Sequence, residues 1–263
     1  MTRSAEGVTT SLMRGLDVLR AYRAEETTLN NNELVNRTGL PKSTIARFTH
    51  TLTALGYLEQ DGQQGGYRLG GKVVHLGHRL LASLPICQVA QPLMQQFADE
   101  HRLAVALAAG DQTSMVYLVY CSGRSVVTRH MRVGAVTPMA QTAIGRAYLW
   151  ALPPARRAWH IAQIAAEAGA VADGQLSAIE RSMAELDKDG FYCSYGEYRR
   201  EIFAVGAPLV MDRDETVLAL NCSAFHQGFD RETVRATLGP ALVRLSTDIA
   251  NTMSDLGRTF WED

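Results

Sequence analysis

Cysteine is sparse and scattered: Cys87, Cys121, Cys193 and Cys222 form no CxxC pair, and no HExxH or short Cys/His cluster accompanies them. That spacing excludes the usual zinc ligand sets, so no metal and no cofactor is expected, and the thiols read as ordinary side chains of a reducing compartment. Long apolar runs are missing as well. No stretch of about 18 uninterrupted apolar residues is present, and the segment MTRSAEGVTTSL lacks the apolar run of a signal peptide. No membrane partner and a cytoplasmic location are therefore expected. The chain also lacks GxSxG, GxxxxGK[ST] and GxGxxG, and its histidines accompany no nucleophile motif. These absences argue against an enzyme. Charge of either sign is in no excess, because 26 basic and 27 acidic residues leave a net charge of -1. Indiscriminate binding of polyanions is thereby disfavoured.

What remains is a chain of 263 residues, 46% of them hydrophobic, long enough for two domains with separate cores. Residues 1–72 hold nine basic against seven acidic side chains, an excess of two. So small an excess leaves the case for nucleic acid to pattern. From Leu12 to Tyr22 the residues Leu12, Leu16, Val18, Leu19 and Tyr22 recur at helical spacing, and a polar segment from Arg23 to Asn31 then interrupts them. Asn31 or Asn32 is suited to cap a short second helix carrying Leu34 and Val35, which ends at Thr38-Gly39. Pro41 fits the first turn of a third helix through LPKSTIARFTHTLTALG, with Ile45, Phe48, Leu52 and Leu55 on one face. The other face presents Lys42, Ser43, Thr44, Arg47, His50 and Thr51. Such a face combines phosphate binders with side chains able to read base edges, as a helix in a major groove requires. Arg47 has three open roles there: holding phosphate, reading guanine or bracing the domain. The following YLEQDGQQGGYRLGG reads as strand, glycine-rich turn and strand, a wing with Gln63, Gln64 and Arg68 as candidate contacts. Two helices, a tight turn and a hairpin in this order describe a winged helix-turn-helix, in which Arg14 of the first helix is a further candidate DNA contact.

Downstream, Val73, Val74, Leu76, Leu80 and Leu81 give a linking helix that ends before Pro85. A helix from Ile86 to His101 and three apolar runs, LAVALAA, SMVYLVYC and SVVTRHMRV, follow; the runs read as consecutive antiparallel strands. Helices are expected at 142–151, 155–167 and 173–188, then strands at 202–210 and 216–225 and a last helix at 230–254. This mixed order is that of an α+β domain. On VLALNCSAF, Asn221 and Ser223 lie two apart and project to one face, where inward-facing polar groups need partners from ligand, water or backbone. Cys222 alternates with them.

SLMRGLDVLRAY, NELVNRTGLPKSTIARFTHTLTALGYLE and GGYRLGGKVVHLG resemble the N-terminal domain of IclR-type bacterial regulators. RVGAVTPMAQTAIGRAYLWAL resembles the family's signature at Gly134, Pro138, Thr142, Ala143, Gly145 and Ala147, and ELDKDGFYCSYGEYRREIFAVGAPLVMDRDETVLALNCSAF is similar to its Gly-Glu segment and penultimate strand. The resemblance implies a winged helix-turn-helix over residues 8–72, a linker helix over 73–84 and a GAF-like effector-binding and oligomerisation domain over 85–257. It implies a transcription regulator that binds double-stranded operator DNA as a homodimer or dimer of dimers and answers to a small-molecule effector, a small organic or aromatic carboxylic acid. The lining candidates it carries across are Tyr117, Tyr120, Met131, Gly134, Ala135, Ala143, Tyr195, Ala204, Asn221 and Ser223. Loop Gly134-Ala135 would offer backbone N–H groups, and the helix from Thr142 would direct its N-terminus at an anion. The chain departs from the family pattern at Glu201, where glycine is common, with Arg199 and Arg200 beside it. A thiol-based redox regulator using Cys222 or Cys121 is the alternative.

Overall fold

In the computed structural model the described residues are 9–23, 26–62, 65–124, 132–211, 216–225 and 229–257. The chain divides into two compact units, Met1–Leu80 and Leu81–Asp263. Helix α4 (Gly71–Ala82) carries the chain from one to the other.

The first unit is built from α1 (Thr10–Arg20), α2 (Asn31–Thr38), α3 (Lys42–Ala54) and a hairpin of β1 (Leu58–Asp61) and β2 (Gly66–Leu69). Val18, Leu29, Leu34, Ile45 and Leu58 form its core, with Phe48, Leu52 and Tyr67 packed against it. The cap of α2 is Asn30, one residue before the expected pair. Its side chain accepts from the N–H groups of Asn32 and Glu33, while the Glu33 carboxylate accepts the Asn30 N–H at 2.7 Å. The glutamate three residues on selects Asn30 among three adjacent asparagines. Gly39 closes α2 with φ 67°, a left-handed conformation open to glycine at no steric cost. Pro41 stands at the N-cap of α3 rather than inside its first turn. Leu55 is 57% exposed, and the buried place on that face belongs to Thr49, whose hydroxyl donates to the Ile45 carbonyl at 3.0 Å. The interruption after α1 also holds structure, because Leu29 and Tyr67 exchange both backbone hydrogen bonds and add a bridge to the wing.

The second unit contains α5 (Pro85–His101), β3 (Ala104–Asp111), β4 (Ser114–Ser122) and β5 (Val136–Pro138). Helices α6 (Ala143–Ala151), α7 (Pro154–Ala168) and α8 (Ala172–Asp189) come next, then β6 (Tyr192–Tyr195), β7 (Ile202–Met211) and β8 (Thr216–Phe225). A short helix α9 (Arg231–Thr233), a π turn over Val234–Leu238 and α10 (Gly239–Asp255) complete it. The six strands form one antiparallel sheet in the order β5-β4-β3-β8-β7-β6. The expected third strand, SVVTRHMRV, lies mostly outside the described residues. Strand β6 was not anticipated, and the single last helix is broken by the π turn.

Alternation along the strands sorts the side chains into two cores. Val105, Leu107, Val205, Leu209, Leu218 and Leu220 meet α5 and α10 on one face. The α6 face carries smaller residues, Ala106, Ala108 and Ala219, with Ala204 half-buried beside them. Gly206 shows why: a Cβ there would lie 2.2 Å from the Ala143 carbonyl oxygen, so the first turn of α6 rests directly on β7.

Candidate nucleic-acid interface and effector site

On α3 the packed side is Ile45, Phe48, Thr49 and Leu52, and the opposite side leaves Lys42, Ser43, Arg47, His50 and Thr51 exposed, with Thr44 half-buried. Neither Lys42 nor Arg47 makes a hydrogen bond or ion pair with its side chain among the described residues. Bracing falls instead to Arg37, whose guanidinium grips both oxygens of the Glu26 carboxylate and donates to the Ala21 carbonyl at 2.8 Å. Arg14 is exposed on α1. Arg68 is engaged differently from expectation: it lies across the hairpin from Glu59 and donates to it from Nε at 3.0 Å and Nη2 at 2.8 Å. Its charge is therefore matched within the wing. Gln63 and Gln64 lie outside the described residues.

In the second unit, Asn221 and Ser223 are 5% exposed and fall on the α6 face, in step with Val217 and Ala219. Asn221 stands between Ala106 of β3 and Gly206 of β7, and Ser223 between Ala104 and Ala204. The Asn221 Oδ1 is buried without a hydrogen-bond partner, a condition that costs on the order of 1–3 kcal/mol unless something fills it. Tyr117 and Tyr120 both belong to the same face although they are three apart. A β-bulge accounts for this, since Leu107 pairs with Val119 and Ala108 with Tyr117, leaving Leu118 unopposed. Leu118 and Val119 then both enter the opposite core.

Not every expected lining residue joins them. Tyr195 belongs to the other face: Cys193 and Tyr195 alternate away from Tyr192 and Ser194, and the Tyr195 hydroxyl donates to the Arg231 carbonyl at 3.2 Å under the Arg231 guanidinium. The missed residues on the α6 face are Tyr192 and Ser194, which pair with Gly206 and Ala204. The Gly134 and Ala135 N–H groups are already bonded, to the Tyr117 and Arg132 carbonyls at 2.8 and 2.9 Å, so this loop offers no free donors there. Ala143 is buried at the start of α6 against Gly206. Thr142 caps that helix, accepting from the Gly145 N–H at 3.3 Å and donating to the Pro138 carbonyl at 2.7 Å. Met131 lies outside the described residues.

A cluster that no local spacing announced closes this end of the sheet. Arg146 of α6, only 3% exposed, donates from Nε to the Ala140 carbonyl at 3.1 Å and from Nη1 to the Tyr192 hydroxyl at 2.5 Å and Glu197 Oε2 at 2.6 Å. The Tyr192 hydroxyl donates in turn to Glu197 Oε1 at 2.5 Å. Burial, reinforced by the Glu197 carboxylate, pushes the Tyr192 phenol well above its ordinary range, so it stays protonated as a donor. Glu197 belongs to the turn Gly196–Glu201; burial is the main reason the Tyr117 phenol is pushed up, with Tyr198 of this turn adding to the shift and Arg199 opposing it. Arg199, Arg200 and Glu201 are exposed.

The cysteines are placed poorly for redox chemistry. Cys121, Cys193 and Cys222 are buried and Cys87 is half-buried. Burial raises the Cys222 and Cys121 thiols and lifts Cys193 to about 11, which suppresses the thiolate that oxidants attack.

The comparison with known families decides what this pairing of units is. Residues 11–62 match the IclR helix-turn-helix domain, and residues 78–251 match the bacterial transcriptional regulator IclR C-terminal domain. The chain belongs to the IclR family. It is 29% identical to the HTH-type transcriptional regulator TsaQ1/TsaQ2 of Comamonas testosteroni over 95% of this chain and 90% of that one. A crystal structure of an IclR family transcriptional regulator from Brucella abortus superposes with a TM-score of 0.85 at 37% identity, covering 93% of this chain and 92% of that chain. An IclR homolog from Microbacterium hydrocarbonoxydans, solved in complex with 4-hydroxybenzoate, shares the fold with a TM-score of 0.72 at 21% identity, over 94% and 100% of the two chains. This IclR-family chain is a DNA-binding transcription regulator and not an enzyme.

Proposed function

We propose that this IclR-family protein is a cytoplasmic homo-oligomer, a dimer or dimer of dimers, that sets two copies of α3 in successive major grooves of a partly palindromic operator. Lys42, Ser43, Thr44, Arg47 and His50 make the contacts, helped by Arg14 and by Gln63, Gln64 and Arg68 of the wing. The free Lys42 and Arg47 side chains support this assignment, while the Glu59 partner makes Arg68 the weakest of the group. Exposed apolar residues in the first unit, among them Leu12 and Leu16 of α1 and Val74 and Leu76 of α4, support self-association.

The signal is a small carboxylic acid, preferentially aromatic, received on the α6 face of the sheet. Tyr117, Tyr120, Ala135, Ala143, Ala204, Asn221 and Ser223 line it, with Gly134 at its margin. The observation that carries this reading is the buried, unpartnered Asn221 Oδ1 on a face that also presents Ala106, Ala108, Gly206, Ala219 and the tyrosines Tyr117 and Tyr120. Ligand sites have this makeup, mostly apolar with a few convergent polar groups. The 4-hydroxybenzoate bound by the Microbacterium homolog and the two tyrosines favour an aromatic acid. The burial of Cys121 and Cys222 weighs against the thiol alternative. A thermal-shift screen against aliphatic and aromatic carboxylates tests the proposal, because a ligand specific for the folded state raises the melting temperature by mass action. Asn221→Leu should abolish the shift from the best acid while leaving the operator affinity of the ligand-free protein within twofold; an undiminished shift would move the site off this face.

A further inference from the structure

Arg146 is the only lysine or arginine buried among the described residues, yet its carboxylate partner sits on an exposed turn. The Arg146 side chain is 4% exposed and the Glu197 side chain 35%. Beside the pair lies a shallow pocket of about 360 Å³, largely open to solvent and bordered by Arg146 and Glu197, by the amides of Gln141 and Gln175, and by the apolar Val171 and Ala178. None of the residues assigned above to the α6 face borders it, although Tyr192 of that face reaches Glu197 through its hydroxyl. A buried guanidinium needs an anion, since leaving it unpaired costs far more than exchanging one partner for another. Glu197 bridges two fixed donors, Arg146 Nη1 and the Tyr192 hydroxyl, as a free carboxylate would.

We propose that this cavity is a second acid site. There the carboxylate of a small organic acid with an apolar body replaces Glu197 on Arg146 and Tyr192 and releases the turn Gly196–Glu201. The idea rests on the acid-effector reading but puts a carboxylate at a place of its own. Exchange preserves the charge balance around Arg146, so the ligand has to outcompete only a carboxylate on an exposed turn rather than leave the guanidinium unpaired. Contacts with Val171 and Ala178 supply that margin for benzoate and not for acetate. The released turn carries Tyr198, Arg199 and Arg200, all exposed.

The test measures calorimetric binding of benzoate and acetate to the full-length wild type, Glu197→Gln, Arg146→Lys, Tyr192→Phe and Asn221→Leu, and to Glu197→Gln combined with each of the other three. Removing the internal competitor should tighten benzoate at least tenfold. That gain should shrink when Tyr192→Phe or Arg146→Lys is added and persist with Asn221→Leu. If Glu197→Gln weakens benzoate or leaves it unchanged, Glu197 only positions the turn and the second site is refuted. If benzoate binding responds to Asn221→Leu alone, the second site fails while the α6-face reading stands. Absence of acid binding in every variant overturns both.

Discussion

Gly206→Ala probes the seat of the proposed effector site, the contact between α6 and β7. An added Cβ would meet Ala143 O at 2.2 Å, Ala143 C at 2.4 Å and Ile144 N at 2.9 Å. All three are backbone atoms, so no side chain can swing aside. Ordinary contact with a carbonyl oxygen needs about 1 Å more, and α6 must move off the sheet by that amount in a close-packed interior. Overpacking of this kind costs about 1–3 kcal/mol. It overrides the usual benefit of replacing glycine, about 0.4–1 kcal/mol from the unfolded chain. A control in the same unit is Gly174→Ala in α8, where nothing lies within 4 Å of the added atom and a gain of up to about 1 kcal/mol is expected. Urea unfolding followed by the signal of the second unit measures both. A midpoint lowered for Gly206→Ala and raised for Gly174→Ala agrees with the packing argument. Equal stabilisation by both substitutions would refute it.

Three further outcomes follow from other contacts. Asn30→Ala removes the capping box of α2 and should cost about 0.5–2 kcal/mol, read as faster amide exchange across Asn31–Thr38. His160, 6% exposed with Nδ1 2.6 Å from the Gln112 carbonyl oxygen, has its pKa lowered by burial, with Arg156 adding to the effect. The unfolded chain therefore binds the proton more readily, and stability is lost as pH falls below the ordinary histidine value of about 6.5. His160→Gln should lose less stability than the wild type between about pH 7 and 5 in parallel urea titrations; identical slopes would remove His160 from the account. Deleting Leu118 should erase the bulge yet keep Tyr117 and Tyr120, then two apart in a regular strand, on the α6 face, so benzoate affinity should stay within about threefold of the wild type in calorimetric titration; a loss of about tenfold or more would contradict the bulge.

The DNA-binding unit was legible because its signals are local. Helical spacing, Gly39 and the hairpin glycines act within a few residues, and even the misplaced cap of α2 was available from the Glu33 spacing. The α6 face of the sheet was less so. Period-two reasoning brought Asn221 and Ser223 together correctly, but it cannot see a bulge, and only the bulge at Leu118 unites Tyr117 with Tyr120. Tyr195 was drawn to the wrong face because β6 is four residues long and carries too little pattern to set its phase. Its neighbour Tyr192 takes the place expected of it. The Arg146, Tyr192 and Glu197 cluster spans 46 to 51 residues of separation, and no spacing rule connects such positions. A charged residue inside the apolar helix AIGRAYLWA was the one available hint.

The most direct test of the central claim is fluorescence anisotropy of wild type and a Lys42→Ala/Arg47→Ala double variant on a duplex that the wild type selects from a random pool. Each lost base or phosphate contact is worth about 1–3 kcal/mol, and the effect counts once per recognition helix in a dimer. The account predicts at least a hundredfold weaker binding with a shallower salt dependence, in a variant whose unfolding midpoint matches that of the wild type. Unchanged affinity and salt slope in the folded double variant would contradict the placement of α3 in the groove.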